Sequence, residues 1–280
     1  MVPGGAEAGE ALVEHQRTSM ISFTGSTAVG RQVGALAGRH LKKVALELGG
    51  KNALIVLEDA DLDAAVCGGA WASWLHQGQI CMSAGRHLIH RSLAAQYAQA
   101  MAEKARHLPV GNPHKEQVAI GPLITERQVQ HVDRIVQESV RMGAQLLAGG
   151  TYQGNYYWPT VLTHVTPEMP VFRQEIFGPV ISITAFDSDD QAIQLANDNE
   201  YGLSAGIYTR DIARGLQLGG QLDVGLLHIN DQTVNDDGTM PMGGSKSSGN
   251  GSRHGGPANW DEFTQWQWVT VRSAAPVYPF

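Results

Sequence analysis

The sequence lacks the features of disulfide-bonded, membrane-spanning and nucleic-acid-binding proteins. Only two cysteines occur in 280 residues, which gives no disulfide framework and fits a reducing compartment. No apolar run is long enough to span a bilayer, and no signal peptide is recognisable, so we expect a cytoplasmic protein. The net charge is −7 and no run of lysines or arginines occurs. This argues against nucleic acid or an anionic membrane as the main partner.

Length and hydrophobic content set the architecture that we expect. A chain of 280 residues with 42% hydrophobic residues can bury a sizeable core and is long enough for one large or two ordinary domains. No internal repeat or linker divides it. Strand-like segments such as 53–57 and 180–186 alternate with helical ones such as 92–108, capped by Ser92, and 125–142. This alternation predicts an α/β fold, and a small molecule is the expected partner.

The stretch around Cys81 carries the main chemical signal. The polar residues on both sides of Gly78 indicate a loop, and loop residues are more often functional than core residues. A thiolate adds readily to a carbonyl carbon, so Cys81 is a candidate nucleophile. The alternative is inert packing, because free cysteine is among the most buried residue types. We assign that alternative to Cys67, which we place on the buried face of a helix.

An acid precedes Cys81 at the end of another strand-like segment. Glu47 is followed closely by Gly49 and Gly50, so its carboxylate can move between positions and activate water near a thiol. Its alternative role is a solvent-facing acid at a strand end, and the spacing alone favours that role.

The junction between a strand and a helix at residues 20–30 gives a weak signal for anion binding. Gly25 and Gly30 mark a helix start directly after the strand, where free backbone N–H groups and the helix dipole point towards a ligand. Turn and packing roles explain the two glycines at least as well.

Five short motifs resemble those of a known family in order and in approximate spacing. They are FTGST at 23–27, LELGGK at 46–51, GQIC at 78–81, EIFGP at 175–179 and PMGGSKSSG at 241–249. The family is the NAD(P)-dependent aldehyde dehydrogenase superfamily. The sequence of residues 71–82 resembles its benzaldehyde dehydrogenase branch. The resemblance implies an aldehyde dehydrogenase-like α/β fold, with a remnant of a Rossmann-type cofactor domain and an α/β catalytic domain.

The resemblance also implies how the chain is divided. Residues 1–49 match the C-terminal remnant of the dinucleotide-binding domain, 50–258 the cysteine-bearing catalytic domain, and 259–280 a C-terminal segment with the oligomerisation strand. The resemblance covers only the later part of a family member, and the family's oxyanion asparagine has no counterpart here. We therefore expect a shortened form that is weakly active or inactive. The implied assembly is a homodimer or homotetramer.

The reaction implied by the resemblance is oxidation of an aldehyde, aromatic in the branch resembled, to the carboxylic acid. Cys81 attacks the aldehyde, hydride leaves the thiohemiacetal for NAD or NADP, and Glu47 activates the water that hydrolyses the acyl-thioester. No metal is implied. The other implied site residues are Thr24, Gly25, Ser26, Leu48, Gln128, Glu175 and Phe177 for the cofactor, and Ile80, Met82 and Met242 for the substrate.

The sequence also allows purely structural roles for three of these residues and two other functions for the chain. Gln128 is equally an exposed glutamine, Glu175 a surface acid and Phe177 a core aromatic. A reactive cysteine with a base also suits a cofactor-independent esterase. A third possibility is a non-catalytic scaffold that pairs with a full-length subunit through its C-terminal strand.

Overall fold

The structure is a computed structural model that describes residue 1 and residues 3–280. Strands and helices alternate along most of the chain, as predicted. The helices are α1 (Ala6–Glu14), α2 (Thr27–Arg39), α3 (Leu62–Trp74), α4 (Arg91–His107), α5 (Glu126–Arg141), α6 (Pro170–Arg173), α7 (Asp189–Asn197), α8 (Ile212–Gly219) and α9 (Ala258–Phe263), with a 3₁₀ helix at Leu75–Gly78. The strands are β1 (Met20–Thr24), β2 (Lys43–Glu47), β3 (Asn52–Val56), β4 (Ala84–His90), β5 (Gln145–Ala148), β6 (Tyr152–Gln153), β7 (Tyr156–Tyr157), β8 (Thr160–Thr163), β9 (Val180–Phe186), β10 (Tyr201–Gly202), β11 (Ser204–Tyr208), β12 (Leu226–Ile229) and β13 (Ser245–Lys246).

A seven-stranded sheet forms the centre of the fold. Its strand order is β12-β11-β3-β4-β9-β8-β5. All neighbouring pairs in it are parallel except β5 with β8. Parallel neighbours require crossover connections, which the intervening helices provide. The α/β prediction is therefore confirmed.

Two short strands that precede this sheet carry the predicted base. β1 and β2 are parallel and are connected through α2, and Thr24 lies opposite Glu47 in their register. Directly after β2, the Leu48 N–H donates to the Ser248 carbonyl at 2.9 Å. Residues 48–51 then lead directly into β3, so Glu47 lies between the strand pair and the main sheet.

Helices cover both faces of the main sheet and enclose two hydrophobic clusters. Ile55 of β3 belongs to the cluster that includes the buried face of α5, whereas Leu54 and Val56 belong to the cluster with α3 and α4. Successive strand side chains point to opposite faces, which explains this division. Every residue of β3 is buried, as expected for a central parallel strand.

Two predictions about helices are wrong. Ser92 does not cap α4, because β4 runs directly into the helix and His90 takes the capping position. Its imidazole Nδ1 accepts from the Ser92 N–H at 3.3 Å, which replaces the expected hydroxyl cap. Cys67 is exposed rather than buried, because α3 turns the stripe containing Ala65 and Ala72 towards the core instead.

Part of the sheet and the C-terminal tail differ from what the motifs indicate. Strands β5 and β8 are not predicted, because four-residue strands show too little alternation to be recognised. Residues 264–280 form neither helix nor strand, so their predicted role in subunit pairing stays a prediction. None of the helices in the described part of the chain is long and apolar enough to cross a membrane.

The buried ring of Phe172 gives a test of the core. The ring is fully buried, and the Arg86 guanidinium lies 5.1 Å from its centroid. Phe172→Ala should lower the free energy of unfolding by about 3–5 kcal/mol, since it leaves a large cavity. Urea denaturation measures the change. Trp268→Ala, at an exposed position, is the control and should change the value by less than about 0.5 kcal/mol; equal effects would place Phe172 outside the core.

Candidate active site

The loop that leads to Cys81 has an unusual backbone. His76, Gln77 and Gly78 have φ values of 49°, 61° and 68°, and the left-handed region is unfavourable for residues with a Cβ atom. A Cβ at Gly78 would overlap the Gly178 carbonyl oxygen. The loop therefore packs directly on the EIFGP segment at 175–179, which brings two of the five motifs together.

Asn52 holds the backbone of Cys81 from the side of β3. Its Nδ2 atom donates to the Cys81 carbonyl at 2.8 Å and to the Ser83 carbonyl at 2.9 Å. A Cβ at Gly50 would overlap the Cys81 carbonyl oxygen, so glycine permits the close approach of the two segments. This role of Asn52 is not predicted from the sequence. The available signal was a polar residue at the start of an otherwise apolar strand.

The Glu47 carboxylate is buried and lacks hydrogen bonds. The residue is 8% exposed, and neither carboxylate oxygen has a partner among the described residues. The Nε2 atom of His254 lies 3.6 Å from Oε1, which is longer than a hydrogen bond. Burial raises the pKa of Glu47 to about 7. The positive charge of Arg253 lowers this pKa but has the smaller effect. A carboxyl group with this pKa suits general base catalysis near neutral pH.

The thiol of Cys81 is protonated at neutral pH. Burial is the largest cause that raises its pKa, to about 11, followed by the negative charges of Glu175 and Glu47. The backbone N–H groups of Cys81 and Met82 favour the thiolate but do not outweigh these causes. The charges of both carboxylates thus act on the thiol. The turn at Gly49 and Gly50, which follows Glu47 closely, contacts both the Glu175 carboxylate and the Cys81 carbonyl. Attack on a carbonyl carbon requires that the thiol lose its proton.

Glu175 lies against the same glycine turn. Its Oε1 atom accepts from the Gly50 N–H at 3.1 Å, and a Cβ at Gly49 would overlap its carboxylate. Burial raises the pKa of Glu175, which the Gly50 hydrogen bond and the Lys51 charge lower. Lys51 itself is 2% exposed, and its Nζ has no partner in the described part of the chain. Burial and the Arg86 charge lower the pKa of Lys51 to about 7.

Phe177 is displayed at the surface beside this carboxylate. The residue is 38% exposed and has a φ of 53°, so it is not the core aromatic of the alternative interpretation. The Gln128 Nε2 atom donates to the carbonyls of Ile176 and Phe177 at 2.9 Å and 3.0 Å. Gln128 therefore anchors the backbone of Phe177, and its contact with a cofactor stays a prediction.

The residues assigned to the cofactor phosphates lie at the start of α2. Ser26 is the N-cap of this helix, Thr24 is exposed, and the Gly25 N–H donates to the Glu47 carbonyl at 3.1 Å. The first amides of a helix have no partner in its own hydrogen-bond ladder, which suits an anion. Leu48, assigned to the same site, is buried and packs against α2.

The residues assigned to the substrate do not share one pocket. Ile80 is half-buried next to Cys81, whereas Met82 is buried and its carbonyl accepts from the Thr233 hydroxyl at 2.6 Å. Met242 lines an open groove of about 310 Å³ beside β12. Cys81 is not among the residues that line this groove, so a common aldehyde tunnel stays a prediction.

Comparison with known proteins shows one family. The model of the aldehyde dehydrogenase family matches residues 1–269. The chain is 55% identical to a benzaldehyde dehydrogenase [NAD(+)] of Pseudomonas putida and 53% identical to a vanillin dehydrogenase of an Amycolatopsis species. Each match covers 100% of this chain and 58% of the relative. The chain thus spans less than two thirds of the length of these relatives.

Solved structures give the same result. An NAD-dependent aldehyde dehydrogenase from Sinorhizobium meliloti superposes with a TM-score of 0.93 at 38% identity, over 99% of this chain and 55% of that one. A salicylaldehyde dehydrogenase from Pseudomonas putida G7, complexed with salicylaldehyde, also has a TM-score of 0.93 at 38% identity. That match covers 98% of this chain and 57% of the solved one.

The contact at Gly78 can be tested against a glycine of similar backbone conformation. Gly154 has a φ of 55°, and a Cβ added there would have no atom within 4 Å. Gly154→Ala should cost about 1–2 kcal/mol of unfolding free energy through the left-handed conformation alone. Gly78→Ala should cost about 2 kcal/mol more, because its Cβ also overlaps the Gly178 carbonyl. Urea denaturation compares the two variants, and equal losses would contradict the close packing.

The burial of Glu47 predicts a pH dependence of stability. The carboxyl has a pKa of about 7 in the folded chain against 4.5 as its ordinary value, so the folded state holds a proton that the unfolded state has released. Glu47 should therefore contribute a fall in the free energy of unfolding as the pH rises through this window, against the rise contributed by buried His87, whose pKa is lowered from 6.5 to about 3. Glu47→Gln should reduce the fall, measured by urea denaturation at several pH values.

Lys51 affects the free energy of unfolding over a different pH range from Glu47. Its pKa is lowered from 10.5 to about 7, so it changes stability above pH 7, in the opposite direction. An unchanged pH dependence below pH 7 in Glu47→Gln would show that Glu47 is ionised normally.

Proposed function

Because the chain belongs to the aldehyde dehydrogenase family, we propose that it carries the nucleophile and the base for oxidation of an aromatic aldehyde to its carboxylic acid with NAD or NADP. The observation that carries the proposal is the grouping of Cys81, Glu47 and Glu175 around the turn at Gly49 and Gly50. The names of the relatives, which act on benzaldehyde and vanillin, support an aromatic substrate.

Cys81 performs the first step of this mechanism. Its sulfur forms a bond to the aldehyde carbon, and its proton passes to the Glu47 carboxylate while the carbonyl oxygen gains the electron pair. The pKa values, about 11 for the thiol and about 7 for the acid, make this proton transfer uphill. Bond formation at the carbonyl carbon must therefore accompany the loss of the proton. The N–H groups of Cys81 and Met82 approach the Cys81 sulfur and stabilise the negative charge that develops there as the proton leaves.

The described residues fit a nicotinamide dinucleotide in three respects. One oxygen of Glu175 is held by the Gly50 N–H, which leaves the other free to accept hydrogen bonds from sugar hydroxyls. The free amides after Ser26 suit a phosphate group, and the exposed ring of Phe177 offers an apolar surface beside the glycine turn. When bound, the dinucleotide supplies the oxidant that accepts a hydride from the substrate carbon.

Glu47 performs the second step. After it has released to solvent the proton taken from Cys81, its carboxylate takes a proton from water, and the hydroxide equivalent attacks the acyl carbon bonded to Cys81. The carbon–sulfur bond then breaks, the carboxylic acid leaves, and the sulfur recovers a proton from Glu47. The pKa of about 7 suits both directions of this exchange near neutral pH.

We also propose the division of the chain and its assembly. The separation of the β1–β2 pair from the seven-stranded sheet supports a boundary between 1–49 and 50–258. The exposed rings of Trp260, Trp266 and Trp268 in segment 259–280 support a homodimer or homotetramer. A cytoplasmic location fits this proposal.

Loss of the thiol tests the function directly. With benzaldehyde and NAD+, the chain should form reduced nicotinamide at a low rate, and Cys81→Ala should reduce this rate to the background without protein because no covalent intermediate can form. Spectrophotometry at the absorption band of reduced nicotinamide measures the rate. Cys67→Ala, which removes the exposed thiol, is the matched control and should keep the full rate.

Two outcomes would contradict the proposal. One is equal oxidation by the Cys81→Ala variant and the unaltered chain. The other is no dinucleotide binding by calorimetry and no oxidation; hydrolysis of an activated ester that depends on Cys81 without dinucleotide would then support the thiol esterase instead.

A further inference from the structure

His254 and Glu47 present two buried polar atoms to each other. The His254 Nε2 atom and both carboxylate oxygens of Glu47 are buried without hydrogen bonds in the part of the chain that the structure describes. Nε2 lies 3.6 Å from Oε1. Two facing polar atoms without partners are unusual in a folded protein, because each loses its bonds to water without replacement. A displacement of about 0.6 Å would convert this approach into a hydrogen bond.

The imidazole is held in this position by its backbone and by one aromatic ring. The His254 N–H donates to the Met242 carbonyl at 2.8 Å, and the Met242 N–H donates to the His254 carbonyl at 2.6 Å. The ring lies 5.5 Å from the centroid of Phe263. The direction of Nε2 towards Glu47 is thus set by a two-residue bridge and by packing.

The carboxylate is held by the same loop. Glu47 forms an isolated bridge with Gly249, and the Leu46 N–H donates to the Asn250 side chain at 3.0 Å. Segment 240–256 therefore carries the imidazole and is also hydrogen-bonded to the strand that ends at Glu47. The distance between the two groups depends on this one loop.

Other charged and titratable groups near Glu47 do not replace the imidazole. The Arg253 guanidinium donates to the carbonyls of Gly244 and Ser252 at 3.1 Å and 2.9 Å, so it acts on Glu47 only as a nearby charge. The Cys81 thiol, in the loop before β4, is near enough for the Glu47 charge to raise its pKa, but it carries no positive charge. Among these groups, His254 alone brings a nitrogen to within 3.6 Å of a Glu47 oxygen.

From this geometry we propose that His254 is a positioning residue for the Glu47 base: its Nε2–H donates to the ionised carboxylate and fixes its orientation. This inference rests on the proposed function, in which Glu47 activates water. The donated bond favours the charged form of the acid, which opposes the effect of burial. The imidazole need not touch the substrate to do this.

Carboxyl NMR tests the contact without any enzymatic turnover. In protein labelled with ¹³C at the glutamate carboxyl, the Glu47 signal is assigned by its absence in Glu47→Gln. Its apparent titration midpoint is then compared between the unaltered chain and His254→Leu. Removal of the donor should raise the midpoint by about one pH unit. The midpoint belongs to the coupled pair rather than to one group.

Two further variants separate positioning from packing. His254→Gln keeps an amide N–H at a similar reach and should restore most of the midpoint, whereas a packing role would leave Gln and Leu equally changed. His107→Leu, at an exposed imidazole paired with Glu103, should leave the midpoint unaltered. An unshifted Glu47 signal in His254→Leu, or no recovery in His254→Gln, would overturn the proposal.

The kinetic consequence distinguishes this inference from the proposed function. The value of kcat should rise with pH as Glu47 ionises. In His254→Leu the midpoint of this rise should shift to higher pH by the amount seen in the NMR titration, with KM for benzaldehyde little changed. If the unaltered chain shows no oxidation, the proposed function fails while the NMR titration still decides whether His254 holds Glu47. A shifted NMR midpoint with an unshifted rate profile would refute the positioning of the base.

Discussion

The close approach of the turn at Gly49 and Gly50 to its neighbours is the constraint on which the site depends. This turn lies between the carboxylate of Glu175 and the carbonyl of Cys81, and a side chain at either glycine would overlap one of them. Because it also connects β2 to β3, the turn places Glu47 at the boundary between the two sheets. Two residues without side chains thus allow the segments that carry Glu47, Cys81 and Glu175 to approach closely.

Burial then determines the chemistry of these groups. The pKa of Glu47 is raised to about 7, and that of Lys51 is lowered to about 7. The pKa of the Cys81 thiol is raised to about 11. In each case the neutral form is favoured, because charge is poorly solvated in this site. The polar atoms left without partners cost free energy of about 1–3 kcal/mol each. Such a cost is expected at sites shaped for catalysis rather than for stability.

The sequence predicts the α/β fold and the residue types of the site. It predicts the burial and the contacts of these residues less well. Cys81 and Glu47 are recognisable because a thiol and an acid stand beside glycine-rich motifs, and parallel strands are recognisable from their apolar runs. The exposure of Cys67 is mispredicted, since one helical turn offers several possible buried stripes. The position of His254 is not predictable, because segment 236–256 has no periodicity and folds through contacts with distant residues. Pairing of Asn52 with the Cys81 backbone likewise requires the three-dimensional arrangement.

The high pKa of the Cys81 thiol has a consequence for durability. Peroxides and other oxidants react with thiolates, and their attack depends on exposure as well as on charge. Cys81 is half-buried and keeps its proton at neutral pH, whereas Cys67 lies open at the surface of α3. We therefore expect oxidants to modify Cys67, which has no part in the proposed mechanism, before Cys81. In the proposed mechanism, Cys81 gives up this proton to Glu47 only as its sulfur bonds to the carbonyl carbon.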